Sequence, residues 1–249
     1  MTTQAPSHLD RFLPLAGTLN TRDLGGLPLA QGGVTRPGVF FRSDVPLDLN
    51  DGDIAELERR GLTTVVDLRQ PFELERDPSC LAGRDGLACH NVEVWGRIEE
   101  GSAPKDEYDI TAFYLAALDH AGPAFVRAVT ILAESQGAAL FHCTAGKDRT
   151  GLLALLLLEV AGVPTEQIVE DFALTHDRID PLRERLLADA ERRGVAREQF
   201  SRLLGATPDL IEPAIEHLHG TYGGAEAYLQ RHGVAEATLA RIRTKLTGR

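Results

Sequence analysis

The sequence predicts an α/β fold in three layers: a central, mainly parallel sheet between helices, with an extended helical C-terminal part. Three observations lead there. Short apolar or β-branched runs alternate with helix-length segments up to about Gly162, and beyond it only helical patterns follow. The run Ala138–Phe141, of strand character, passes through a polar, glycine-bearing loop directly into Leu152–Val160, LLALLLLEV, which suits a buried helix. Open α/β sheets bind ligands at such carboxyl ends of strands. The 249 residues are therefore expected to form one domain, with 1–162 as α/β core and 163–249 as a helical part able to act as a lid.

In chain order, Phe12–Leu19 and Val39–Ser43 read as extended, joined through turns at Gly25, Gly26, Gly32 and Gly33. Asn50 or Asp51 caps a helix that runs to Arg60, and Gly61 ends it. Thr63–Leu68 is β-branched and apolar, a core strand, and Ala88–Val94 is another. Helices follow over Asp109–His120 and Pro123–Ser135, broken at Ala121–Gly122. The strand into His142, the loop, and a helix to Ala161 come next. Pro164 opens a helix through Leu174, Asp180–Pro181 starts another, and further helices begin near Pro208, Gly224 and Ala235.

Composition removes several functions. With 26 basic and 37 acidic residues the net charge is −11, which argues against nonspecific nucleic-acid binding. Cys80, Cys89 and Cys143 are too few for a disulfide framework and fit a reducing compartment. The remaining histidines are scattered with no zinc spacing, so no metal site and no cofactor are expected. The N-terminal stretch lacks an apolar signal core, and LLALLLLEV is too short to span a bilayer. A cytoplasmic protein, or one exported without a cleaved signal and without integral membrane contact, is the expectation. Oligomeric state is not legible.

The chemistry concentrates in His142–Gly151, HCTAGKDRTG. A loop between a strand and a helix N-terminus gathers backbone N–H groups around one point, with the positive end of the helix dipole behind them. Cys143 at its mouth would have its thiolate favoured and could attack phosphorus. Arg149, after five intervening residues, can hold an oxyanion in a planar fork. Amides from Thr144 and Ala145 onward would line the cradle, and Gly146 lets the backbone turn tightly. Thr150 could hydrogen-bond the Cys143 sulfur, His142 could orient the loop, and Lys147 would add a cation at the rim. Asp148 is out of place beside a phosphate unless protonated or turned away; protonated, it would serve as general acid. Asp67 ends a buried strand, where a carboxylate reads either as an ion-pair partner of Arg69 or as the rival acid.

Together these residues resemble the signature of the cysteine-dependent tyrosine phosphatase superfamily. The Lys-Asp pair before the arginine narrows the likeness to the bacterial tyrosine phosphatases of the PtpB type. Asn20–Gly26 (NTRDLGG), Phe41–Asp44 (FRSD), Val65–Arg69 (VVDLR) with Pro71, Phe72 and Glu73 after it, and Tyr222–Leu229 (YGGAEAYL) match that family in order. The resemblance implies the three-layer cysteine-phosphatase fold and hydrolysis of phosphotyrosine, with phosphoserine and phosphothreonine or phosphoinositides as further substrates. It also implies a helical lid, which would place Asp177–Leu187 over the loop; on amphipathic spacing alone, Ile179, Leu182 and Leu186 read as ordinary core. No tryptophan-proline-aspartate acid loop appears between Glu93 and Ile110, since Trp95 is followed by Gly96 and Arg97. The acid is thus sought at Asp148 or Asp67.

Other functions carry less. In a phosphoinositide phosphatase, Lys147 would meet a multiply charged headgroup. A phosphate-binding module without catalysis has no need of an intact Cys143, Asp148, Arg149 and Thr150. A sulfur-transfer enzyme would not call for Lys147, Asp148 and Thr150.

Overall fold

The computed structural model of the chain describes residues 11–96 and 109–249. Its sheet has five strands: β1 (Arg22–Asp23), β2 (Phe40–Ser43), β3 (Leu62–Asp67), β4 (Ala88–Asn91) and β5 (Ala138–His142). Their spatial order is β1-β2-β5-β3-β4, with β1 antiparallel to β2 and all other pairings parallel. The expected α/β fold with a mainly parallel sheet is the observed one.

Adjacent residues on a strand point to opposite faces, and the two faces bury different cores. Phe41, Val65 and Leu140 turn toward α1 (Asp51–Arg59), meeting Ile54, Leu57, Leu13 and Leu15. Phe40, Val66 and Phe141 turn toward the larger helical layer. That layer contains α3 (Ile110–His120), α4 (Gly122–Glu134) and α5 (Asp148–Val160). From the helical part it also contains α6 (Thr165–Ala173), α9 (Pro208–His217), α10 (Ala225–Arg231) and α11 (Glu236–Thr247). α5 is apolar all round because it is buried all round: every residue from Leu152 to Leu158 is at most 1% exposed.

Two helices stand apart. α7 (Thr175–Arg192) and the short α8 (Arg197–Arg202) build a separate small cluster from Ile179, Leu182, Leu186, Leu187 and Leu204, joined by Phe200, Leu19 and Ala145.

Several boundaries moved. Phe12–Leu19 is not a strand: only Phe12 makes a bridge, to Arg22, and the chain pairs in the sheet at Arg22–Asp23. Its buried leucines, Leu13 and Leu15, pack against α1 and the sheet rather than pairing. Asp180–Pro181 does not start a helix. α7 begins at Thr175 and carries Pro181 inside, where the missing N–H leaves one helical hydrogen bond unmade. A helix over Pro71–Arg76, α2, opens with a capping box between Gln70 and Glu73. α1 is capped by Asn50, whose Oδ1 accepts from the Asp53 N–H at 3.0 Å, and Gly61 ends it with φ +73°. Among the described residues no single helix is long and apolar enough to cross a membrane. Residues 1–10, most of the N-terminal stretch expected to lack a signal core, and residues 97–108, most of the stretch expected to hold no acid loop, lie outside the described residues.

Candidate active site

Three parallel strands end at one edge, and this brings the separate sequence motifs together. Asp67 of β3 and Ser43 of β2 flank His142 of β5 in register. The chain then leaves β5 as the loop Cys143–Lys147 and enters α5 at Asp148. Gly146 has φ +67°, and a Cβ there would lie 2.5 Å from the Ser43 carbonyl. Only glycine lets the loop press against the end of β2.

The floor of the loop is polar, charged and buried. Asn20 donates through Nδ2 to the carbonyls of Ala145 (3.0 Å) and Gly146 (3.3 Å). Arg42 donates through Nη2 to the Gly146 carbonyl at 2.9 Å and through Nη1 to Asp171 at 2.6 Å. Asp171 also receives Arg11 at 2.6 Å and Arg22 at 3.2 Å, so three guanidiniums surround one fully buried carboxylate. Burial pushes that carboxyl up, but the charges of Arg22, Arg11 and Arg42 outweigh it and hold it far below the ordinary range. Arg22 is itself brought down to about 9, by burial first and then by neighbouring Arg42. Asp44 accepts from the backbone N–H groups of Leu19 and Asn20, which ties the segment before β1 to the end of β2. The NTRDLGG and FRSD motifs are thus the scaffold beneath the loop.

Above the loop is a cavity of about 420 Å³. Cys143, Thr144, Ala145, Asp148 and Arg149 form its base. Phe72, Trp95, Ile110 and Phe113 form an aromatic and apolar wall, and Leu186, Phe200, Leu203 and Leu204 a roof from α7, α8 and the turn after it. Cys143 is 2% exposed. Arg149 is buried and gripped by Glu73, to which Nη2 donates at 2.9 Å and Nη1 also donates; Thr144 Oγ1 donates to the same carboxylate. Burial raises the Glu73 carboxyl, yet hydrogen bonds and charge from Arg149 and the Thr144 hydroxyl bring it down to about 2. Burial lowers the Arg149 guanidinium, but the hydrogen bonds to Glu73 and the surrounding negative charge outweigh it and hold it above its ordinary value. Arg149 Nε and Thr150 Oγ1 are buried without a hydrogen-bond partner among the described residues. The Arg149 guanidinium lies 5.7 Å from the centre of the Trp95 ring.

The other predicted residues divide. Asp148 lines the cavity; its Oδ1 accepts from the Tyr114 hydroxyl at 2.5 Å and lies 3.0 Å from the Lys147 ammonium. Lys147 is not a rim cation. It is 1% exposed, and its ammonium donates to the carbonyls of Gly205, at 2.9 Å, and Leu203. Its apolar stem is buried and its head is spent inside the protein. Asp67 does not line the cavity. It is forked by Arg69, with Nη2 at 2.7 Å and Nε at 3.0 Å, and accepts the Arg69 N–H at 3.0 Å. Burial raises its carboxyl, and the facing His142 and Arg69 more than offset that. Because burial pushes His142 toward its neutral form, Arg69 is the lasting partner. His142 Nδ1 lies 3.1 Å from the Cys143 carbonyl, a contact at the foot of the loop.

Sequence reasoning missed Glu73, Tyr114 and Asp171 as parts of the site. Glu73 was visible as the end of the motif that follows VVDLR, without a role. Tyr114 and Asp171 carried no signal, since each sits in a helix remote in sequence from what it touches.

A strand-loop-helix anion cradle with a cysteine at its base and a buried arginine at its far end defines the cysteine-dependent phosphatase class. The chain belongs to the tyrosine phosphatase family, whose model matches residues 13–248, and is a phosphoric monoester hydrolase. It is 31% identical to a tyrosine-protein phosphatase of Nostoc commune, over 80% of this chain and 70% of that one. It is 29% identical to the triple specificity protein phosphatase PtpB of Mycobacterium tuberculosis, over 94% and 98%. A putative tyrosine-protein phosphatase of Cupriavidus necator is 28% identical over 90% and 84%. Among solved structures, P. aeruginosa TpbA aligns over 55% of this chain and 68% of its own, at 21% identity and a TM-score of 0.32.

Proposed function

We propose that this enzyme hydrolyses phosphotyrosine in proteins through a phosphocysteine intermediate. The observation that carries the reading is the shared cavity: Cys143, the buried Arg149 with its Nε unpaired, and Asp148 meet at its base, beneath a wall of Trp95, Phe113 and Ile110. The Cys143 thiolate attacks phosphorus. Arg149 keeps one edge on Glu73 and offers Nε to an equatorial oxygen as charge shifts onto it. Asp148 protonates the departing ester oxygen, and water then hydrolyses the phosphocysteine. Asp67, chelated by Arg69 away from the cavity, is the weaker candidate for the acid. The aromatic wall suits an aryl phosphate, whose ring can stack along it.

The relative called PtpB is named for triple specificity, which supports testing phosphoserine, phosphothreonine and phosphoinositides beside phosphotyrosine. The phosphoinositide reading loses its main support here, because Lys147 is spent on Leu203, Gly205 and Asp148. The roof of α7 and α8, with its own small core, suits a lid that admits substrate.

The test is a panel of initial rates on phosphotyrosine peptide, phosphoserine peptide and soluble phosphoinositides. Phosphotyrosine should have the highest kcat/KM. Cys143→Ser should lower turnover more than about a thousandfold yet still bind vanadate, since the cradle amides and Arg149 remain. Activity within tenfold of wild type, a margin well inside the usual cost of losing a nucleophile, would remove Cys143 from the mechanism.

A further inference from the structure

We infer that Tyr114 is a positioning residue for Asp148: its hydroxyl, with the Lys147 ammonium, holds Oδ1 and leaves Oδ2 to carry the proton. This rests on the reading of Asp148 as the general acid.

α3 serves the site with two faces. Ile110 and Phe113 line the cavity, while Tyr114 points inward and is 0% exposed. Its ring is wedged edge-on against Phe172, with centroids 6.2 Å apart and planes at 84°. The hydroxyl therefore has one position, and there it meets Asp148 Oδ1 at 2.5 Å. Burial, and then the charge of Asp148, push the phenol well above its ordinary value, so Tyr114 keeps its proton and is the donor. Lys147 Nζ approaches the same Oδ1 at 3.0 Å, and its other contacts are the Leu203 and Gly205 carbonyls. Asp148 Oδ2 has no hydrogen-bond partner among the described residues. A carboxylic acid has one carbonyl oxygen and one O–H; the Tyr114 donor and the neighbouring Lys147 charge on one oxygen make it the carbonyl and put the proton on the other.

The step balances within the site. As the Cys143 sulfur forms its bond to phosphorus, the ester P–O bond breaks and its electron pair goes to the leaving oxygen. The proton on Asp148 Oδ2 moves to that oxygen, and the new carboxylate is held by Tyr114 and Lys147. In the second step a water oxygen bonds to phosphorus, its proton returns to Oδ2, and the P–S electron pair returns to sulfur.

Tyr114→Phe in the full chain removes one oxygen and keeps the ring against Phe172. Its kcat/KM on phenethyl phosphate, a poor leaving group, reports the steps up to departure of that group and should fall about tenfold, the usual cost of a hydrogen bond to a charged group. On para-nitrophenyl phosphate, whose leaving group departs without a proton, the loss should stay under about threefold. Vanadate inhibition should be retained. In an Asp148→Asn background, Tyr114→Phe should add no further leaving-group-dependent loss. Equal losses on both substrates, a selective loss that persists without Asp148, or a Tyr114→Phe protein that does not fold would each make Tyr114 a structural residue only. Asp148→Asn alone separates the two readings: equal loss on both substrates removes the acid itself, whereas a selective loss there with none in Tyr114→Phe removes only the positioning role.

Discussion

The floor and the roof of the cavity are built on opposite principles. Beneath the loop, Asn20, Arg22, Arg42, Asp44 and Asp171 are buried and charged or polar, and each contact has a direction and a partner. Above it, Ile179, Leu182, Leu186, Leu204 and Phe200 touch through apolar surface only, in a cluster separate from the main core. Directional contacts fix an arrangement to a fraction of an ångström, and a buried charge tolerates no substitute position. Apolar contacts are non-directional and allow sliding or lifting at modest cost. The molecule holds the reacting loop with the first kind and covers it largely with the second, with the Lys147 ammonium on the Leu203 and Gly205 carbonyls and the Arg76–Asp189 pair as the directional ties between them.

The largest effect that would break this comparison is at the floor. Asp171→Asn leaves Arg11, Arg22 and Arg42 around a neutral amide. Removing one partner of a buried charge network typically costs about 3–5 kcal/mol. Urea midpoints at neutral pH should show a loss of that size; a loss below about 1 kcal/mol, the level of an exposed pair, would mean the network is no more than a surface contact.

Arg149→Lys comes next and tests where floor and substrate meet. Charge is kept, but a lysine cannot hold Glu73 on one edge and an oxyanion on another. The loss of kcat/KM on phosphotyrosine peptide should correspond to about 3 kcal/mol. An unchanged value would leave the arginine as a scaffold for Glu73 alone.

How much of this was legible in the sequence follows the same division. The decapeptide His142–Gly151 pointed to a strand-loop-helix turn because its parts are contiguous, and the mainly parallel sheet that carries it followed from alternating apolar runs. The floor showed as motifs whose order could be matched but whose contacts could not be placed. Arg42 and Asp171 are 129 residues apart in sequence, and no local pattern signals that they meet. Lys147 was misplaced for a related reason: a lysine beside a phosphate loop reads as a rim charge until the carbonyls of Leu203 and Gly205 are brought over it. Pro181 read as a helix start because prolines favour that position, yet packing of Ile179 and Leu182 carries α7 through it. Asp67 was left between ion pair and acid, and the fork of Arg69 weighs for the ion pair.

The Glu73–Arg149 pair lies between floor and roof, and pH reads it. The Glu73 carboxyl is brought from its ordinary 4.5 down to about 2. A depressed carboxyl stabilises the fold above its unfolded value and loses that contribution as pH falls through its folded value. The pair should therefore contribute fully above about pH 5 and fade toward about pH 2, by on the order of 2–3 kcal/mol. Glu73→Gln should show this as a stability difference from wild type that shrinks as pH falls across that window. A difference that stays constant with pH would assign the loss to packing.

The smallest effect sharpens the roof. Leu186 lines the cavity and belongs to the small cluster of α7 and α8. Leu186→Gln weakens that cluster without touching the floor. Because the cluster is separate from the main core, the cost should be local, about 1 kcal/mol or somewhat more. Hydrogen exchange should quicken across α7 and α8 while the amides of α4 and α5 keep their protection. KM for phosphotyrosine peptide should move a few-fold, a change of about 1 kcal/mol or less, with the rate on a saturating small aryl phosphate much less affected. Vanadate should slow exchange in α7 of the wild type, since an occupied cradle favours the closed roof, and slow it less in the variant. If Leu186→Gln instead loosens α4 and α5 as much as α7, the roof shares the cooperative unit of the core, and the distinction between a fixed floor and a movable cover fails.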